Sequence, residues 1–331
     1  MKWFTEPSGK FVIKIPTEWQ YANVAYNYEE VSPFSFELYN TPVGAFQISC
    51  YVPNQPAIES KKNQKANTNN LKFTEWRMDG DGFNVHLWGA NVEDHIFLAK
   101  YIYDTNKAND PVILEELKKT YEALGTVQLL SEDKRKLAHD LDKHEKFMAS
   151  LAASFDLKSK ALENASLIEV SIITANQIDA YLRLCLVLKA QLTTDPDELY
   201  INYLYQDKND TPKMERKIYQ EAKDAGILDT EIFNELEVLY KKRNEMVHRY
   251  IISEFRSRDL IEIAYNYEVT CEKVRLILRK LETEQFKKGI GTYKDSQTLH
   301  VMPSAETLKL LHAQVNDKHL LKVFERNIKN T

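Results

Sequence analysis

Hydrophobic and polar positions follow two different periods along this chain. Through the first 130 residues the period is close to two, the mark of half-buried strands. Phe11-Val-Ile-Lys-Ile15 alternates in part and stops at Pro16, just ahead of Trp19. Phe34–Tyr39 and Ala45–Val52 alternate more cleanly, with Thr41-Pro-Val-Gly44 placed as a hairpin connection. Thr74–Met78 and Asn84–Trp88 flank the turn signal Asp79-Gly-Asp-Gly82, and His95–Tyr103 reads as one more strand. Ile58–Asn70 is rich in Lys and Asn and reads as a loop or a short solvated helix. Pro111–Leu124 is helical, with Val112, Leu114, Leu117, Tyr121 and Leu124 as the expected apolar face and Gly125 as its stop.

Beyond residue 130 the period changes to that of a helix. Ser131 caps a charged helix whose Leu137, Leu141 and Met148 share a side, and residues 131–160 read as a linking helix. Leu162–Leu192 is a long helix with a heavy apolar face. Met214–Ala225 is closed by Gly226, and Asp229 to about Ser253 is another long helix. Asp259 to about Lys288 is one broken helix or two, ended by Gly289-Ile-Gly291. Ser304–Gln314 starts a helix after Pro303. The expected fold is an α+β N-terminal domain (1–130) followed by an all-α helical bundle (161–291), with a helical tail over 292–331.

Composition narrows the function classes. The 331 residues are 43% hydrophobic and 28% charged, enough for packed cores and against a mainly disordered chain. The 44 Lys and Arg against 49 Asp and Glu give −5, so a nucleic-acid contact needs a local basic patch. The start MKWFTEPSGK has no apolar run, so no signal peptide is expected. No apolar stretch reaches membrane length, and Leu182–Leu192 carries Arg183 and Lys189. The three separated cysteines, Cys50, Cys185 and Cys271, fit a reduced, cytoplasmic protein without disulfides or a zinc motif. No cofactor or metal is expected.

Chemistry concentrates in Arg243-Asn-Glu-Met-Val-His-Arg-Tyr250, late in a long helix. Asn244 and His248 share a face at i, i+4, whereas Arg243 and His248 lie about 140° apart around the axis. One helix therefore sets them on the rims of a broad face, and pairing about a two-fold axis brings two sets into one groove. Such a set suits metal-independent RNA cleavage. His248 can exchange the proton of a 2′-hydroxyl. Arg243 can hold phosphate oxygens and offset growing charge, and Asn244 can orient the histidine or donate to the phosphate. Lys241, Lys242 and Arg249 would attract the backbone, and Tyr250 could stack on a base.

An Arg-x4-His spacing late in a helical bundle, with a polar residue after the Arg, resembles the HEPN domains. The form RN-x-x-VH-x-Y is similar to HEPN toxins of bacterial toxin–antitoxin pairs. The resemblance implies a ribonuclease site of Arg243, Asn244 and His248 drawn from both protomers of a homodimer. It also implies a prokaryotic toxin or defence effector, RNA as substrate, and an antitoxin or regulatory protein as partner. Tyr250 matches the family tyrosine that a partner nucleotidyltransferase modifies in some pairs. Many HEPN domains are catalytically silent dimerisation or interaction modules, which is the alternative function. Within the N-terminal half, Gly9–Trp19 resembles the first strand and IP-x-x-W turn of PsbP-like α+β domains, which implies a binding or scaffolding module.

Other signals are weaker. Asn176, Asp179 and Arg183 share a face of an apolar helix; they either line the same groove or form an internal hydrogen-bond network. Asp259–Glu282 superficially resembles a helix-turn-helix with Thr270 as a cap and Lys273, Arg275 and Arg279 beyond it. Its turn lacks Gly and its Glu268, Glu272 and Glu282 oppose DNA phosphates, so DNA binding is disfavoured. His139 and His144, five apart, do not share a helix face as metal ligands would. His86 and His95 are expected on the surface of their strands. The N-terminal half shows no catalytic constellation.

Overall fold

A computed structural model describes residues 1–23, 28, 30–38, 42–52, 71–80, 82–206 and 210–295. The expectations for Ile58–Asn70, for Ser304–Gln314 and for most of the 292–331 tail lie outside the described residues. The described chain divides into a sheet-rich N-terminal unit, Met1–Asp142, and a helical unit from Lys143 onward. The division falls inside the helix expected to link the two halves.

The N-terminal unit contains two antiparallel sheets. β1 (Lys2–Thr5), β2 (Phe11–Ile15) and β9 (Gln128–Leu129) form one, in the order β1-β2-β9. The other has the order β3-β4-β5-β8-β7-β6, from β3 (Trp19–Tyr21), β4 (Phe34–Leu38), β5 (Gly44–Tyr51), β6 (Thr74–Gly80), β7 (Phe83–Val92) and β8 (His95–Asp104). Alternation along β2 and β8 turns every second side chain into the core, as a period of two requires. The two inner faces meet through Phe11 and Phe97, whose ring centroids are 5.4 Å apart, and through Phe4 and Phe36 at 4.8 Å.

β1, β3 and β9 had no signal in the sequence. They are four, three and two residues long, too short to display a period, and exist because a neighbouring strand offers its backbone groups. Gly9 joins β1 to β2 at φ +73°, and a Cβ there would stand 2.6 Å from the Arg135 carbonyl oxygen. Gly9→Ala is therefore expected to destabilise this unit by more than about 1 kcal/mol, read from the midpoint of urea unfolding.

Helix α1 (Pro111–Leu124) begins where Asp110 accepts a hydrogen bond from the Val112 amide at 2.9 Å, with Pro111 in the first turn. It packs against β2 and β8. Its buried face is Ile113, Leu117, Ala123 and Leu124, whereas Val112, Leu114 and Tyr121 are exposed. Leu117 and Leu124 of the expected face are buried and its other three residues are not, because an apolar-rich helix offers two stripes and only contact with the sheets selects one. Glu116 is buried on the selected face, accepting from the Trp19 indole N–H and, at 2.8 Å, from Lys119.

The helical unit is built from the later part of α2 (Glu132–Glu163), α3 (Leu167–Thr193), α4 (Glu215–Asp224), α5 (Thr230–Arg249) and α6 (Ser257–Lys288). The break between α2 and α3 falls at residues 164–166, not before Leu162. Ala165 adopts φ +51°, and the Ser166 amide donates to the Ala161 carbonyl at 2.8 Å, a helix ending usually made with Gly. The sequence hides it because Glu-Asn-Ala-Ser carries no Gly or Pro. α6 is a single continuous helix, so Asp259–Glu282 has no helix-turn-helix turn and Thr270 lies buried in mid-helix rather than at a cap.

α3 is the core helix and packs along α6. Ile178, Leu182, Cys185 and Leu186 meet Tyr267, Cys271, Val274 and Leu278 in one cluster with Ile218, Tyr219, Leu236 and Met246. Among the described residues α3 is the one helix long and apolar enough to cross a membrane, and 72% of its most apolar window is buried in the structure. A core helix of a bundle meets the same test.

Candidate active site on the fifth helix

α5 starts where Asp229 accepts from the Ile232 amide at 2.8 Å and ends in a 3-10 turn, Tyr250–Ile252. Leu236, Leu239 and Met246 anchor its inner stripe. That anchoring sets the direction of every other side chain on the helix. Arg243 lies at the edge of the stripe with its side chain 15% exposed, and His248 lies on the solvent side.

Arg243 is held from three directions. Its Nη1 donates to Glu215 Oε2 at 2.6 Å and its Nη2 to Asn244 Oδ1 at 3.1 Å. Its guanidinium carbon stands 4.9 Å from the centroid of the Tyr240 ring. Burial pulls its pKa down, but the Glu215 carboxylate outweighs burial and the net direction is up. Glu215 also accepts from the Tyr219 hydroxyl, whose pKa is raised by burial and then by that carboxylate. The neighbouring Arg216 takes Glu237 at 2.9 and 2.5 Å. Sequence reasoning missed Glu215. Its one local signal is an acidic residue in the first turn of a helix, four residues before Tyr219.

His248 is exposed and has no hydrogen bond or ion pair among the described residues. It stands about 7.5 Å further along the axis than Arg243. Lys241, Arg249 and Tyr250 are likewise exposed, the last at 45%. Lys242 is 3.2 Å from Glu262, a partly solvated pair of small energetic weight. Val247, Ile251 and Ile252 extend an apolar surface beside the imidazole, and Ile251 is 94% exposed.

The three polar residues of α3 separate. Asn176 is exposed. Asp179 Oδ2 accepts from Arg183 Nε at 2.6 Å, and Arg183 also donates to the carbonyls of Tyr203 and Lys213, both at 2.9 Å. Arg183 is thus committed to tying down the segment that leads into α4, and is not a free phosphate ligand. The sequence could not decide this, because the acceptors are backbone carbonyls 20 and 30 residues away. Asp179 has its pKa raised by burial, against the lowering pull of Arg183.

Elsewhere, His86 and His95 are buried, correcting their expected surface placement. His86 Nδ1 is 2.9 Å from Glu75 and Nε2 is 3.3 Å from the Tyr103 hydroxyl, with the ring stacked beside Trp88. Lys273 pairs with Glu235, Arg275 with Glu272 and Arg279 with Glu282, so the basic side chains of the supposed recognition helix are neutralised locally. His144 has its pKa lowered by burial. No cluster of three or more His, Cys, Asp or Glu residues among the described residues forms a metal-binding set.

No family model matches the chain, and no curated protein matches it. A solved structure from Bacteroides thetaiotaomicron VPI-5482 is similar over 52% of this chain and 68% of its own, at 14% identity and a TM-score of 0.28. A likeness that low carries no functional argument.

Proposed function

We propose that the helical unit is a HEPN-like bundle acting as a metal-independent endoribonuclease, and that the N-terminal unit is a PsbP-like binding module. The active form is a homodimer in which the two α5 helices place both copies of Arg243, Asn244 and His248 along one groove. The setting is the prokaryotic cytoplasm, as a toxin or defence effector with an antitoxin or regulatory partner. The observation that carries the reading is the state of His248. An imidazole with no hydrogen-bond or ion-pair partner among the described residues, exposed on the same helix end as Lys241, Arg249 and Tyr250, is available to a ligand.

The chemistry follows from those groups. His248 removes the proton from a ribose 2′-hydroxyl as the oxygen attacks the adjacent phosphorus. The bond from phosphorus to the 5′-oxygen breaks, and that oxygen takes a proton from a protonated imidazole. The products are a 2′,3′-cyclic phosphate and a 5′-hydroxyl. Arg243 spends two of its donors on Glu215 and Asn244, and its other N–H groups remain for the phosphate as charge grows.

The test is incubation of the purified protein with mixed RNA. Cleavage is expected to persist in excess EDTA and to disappear in Arg243→Ala; cleavage that EDTA abolishes would rule out this mechanism. One observation favours a second reading, a catalytically silent interaction module. The charge of Arg243 is already matched by Glu215 at 2.6 Å. Under that reading the wild-type protein cleaves no RNA, and Arg243→Ala changes only stability.

A further inference from the structure

Glu215 lies 28 residues before the motif and is the acidic group that touches Arg243. Its own placement is over-determined. It stands in the first turn of α4, where a carboxylate is favoured by the helix dipole. The start of that helix follows Lys213, whose carbonyl is tied to Arg183 at 2.9 Å, and Arg183 is in turn held by Asp179. The Tyr219 hydroxyl, one turn along, donates to the same carboxylate. A chain of contacts therefore runs from the core helix through α4 to the guanidinium.

We propose that Glu215 is the positioning residue of this site: it locks the Arg243 fork against Asn244 so that the remaining donors meet an RNA phosphate in a single orientation. This rests on the ribonuclease reading. A carboxylate beside a phosphate-binding arginine opposes the binding of an anion, so Glu215 weakens ground-state attraction. Its benefit lies in direction. Donors already aimed at the position where charge develops count most in the transition state. Glu215 therefore supports kcat and works against a low KM. Asp179 and Arg183, on this account, belong to the same support and never touch substrate.

The experiment compares wild type, Glu215→Gln and Tyr219→Phe, with kcat referred to the folded fraction from circular dichroism. Glu215→Gln keeps the shape and an acceptor oxygen but removes the charge. It is expected to lower kcat per folded molecule by about tenfold to a hundredfold, with KM unchanged or lower. Tyr219→Phe should give a smaller loss in the same direction. A purely structural residue would lower the folded fraction alone. Side-chain ¹⁵N spectra of arginine, with Arg243 assigned through Arg243→Lys, supply a readout free of catalysis. Slow rotation of the Arg243 guanidinium in wild type should become fast in Glu215→Gln. Unchanged kcat per folded molecule, or unchanged rotation, overturns the proposal. If the wild type cleaves no RNA the ribonuclease reading falls, while rotation freed in Glu215→Gln would still support the positioning contact.

Discussion

His248→Ala is expected to reduce metal-independent RNA cleavage by about a hundredfold to ten-thousandfold, the usual loss when a general acid or base is removed. Stability should stay within about 0.5 kcal/mol of wild type, because an exposed side chain without partners among the described residues leaves neither a cavity nor an orphaned charge. The higher helix propensity of alanine works slightly in favour of the variant. Activity and thermal midpoint measured on one preparation decide the matter. Cleavage at the wild-type rate by His248→Ala would remove the imidazole from the mechanism. A large fall in the midpoint would mean that the side chain is packed, contrary to its exposure here.

The largest effect on stability is expected in the N-terminal unit, at Trp19. The side chain is 1% exposed and its ring lies 5.4 Å from Phe46. Trp19→Ala should cost about 3–5 kcal/mol, from lost burial and the cavity left behind. Trp19→Phe separates the two contributions, since it keeps most of the apolar volume and deletes the indole donor to Glu116. Glu116 is 2% exposed, so one lost partner leaves a buried carboxylate short of a hydrogen bond, at about 1–3 kcal/mol. Urea unfolding followed by circular dichroism measures both. A neutral Trp19→Phe would show that Lys119 alone satisfies the carboxylate.

The regular elements were legible where they were long enough to show a period. Pro111–Leu124 shows apolar residues at helical spacing and is followed by Gly125, and the helix occupies those residues. The alternation of His95–Tyr103 likewise marks β8. The candidate site was legible only in part. Arg243, Asn244 and His248 are neighbours along one helix, so their spacing announces them. Glu215 is not a neighbour in sequence, and no local pattern couples a first-turn acid to an arginine on the next helix. The pairing of buried His86 with half-buried Glu75 was missed for a related reason. It joins residues of adjacent strands, and the pairing of β6 with β7 brings them within reach.

From its sequence alone the chain determined the order of its halves, strands first and helices after, because hydrophobic periods of two and 3.6 belong to different backbones. It also determined which residues share the α5 motif, because helix geometry converts spacing directly into angle. Tertiary structure alone decided which stripe of α1 is buried, that α6 runs unbroken through Thr270, and that Arg183 holds carbonyls while His248 is exposed. Those outcomes depend on what lies opposite each side chain, and a partner 20 to 100 residues away leaves no trace in a local pattern.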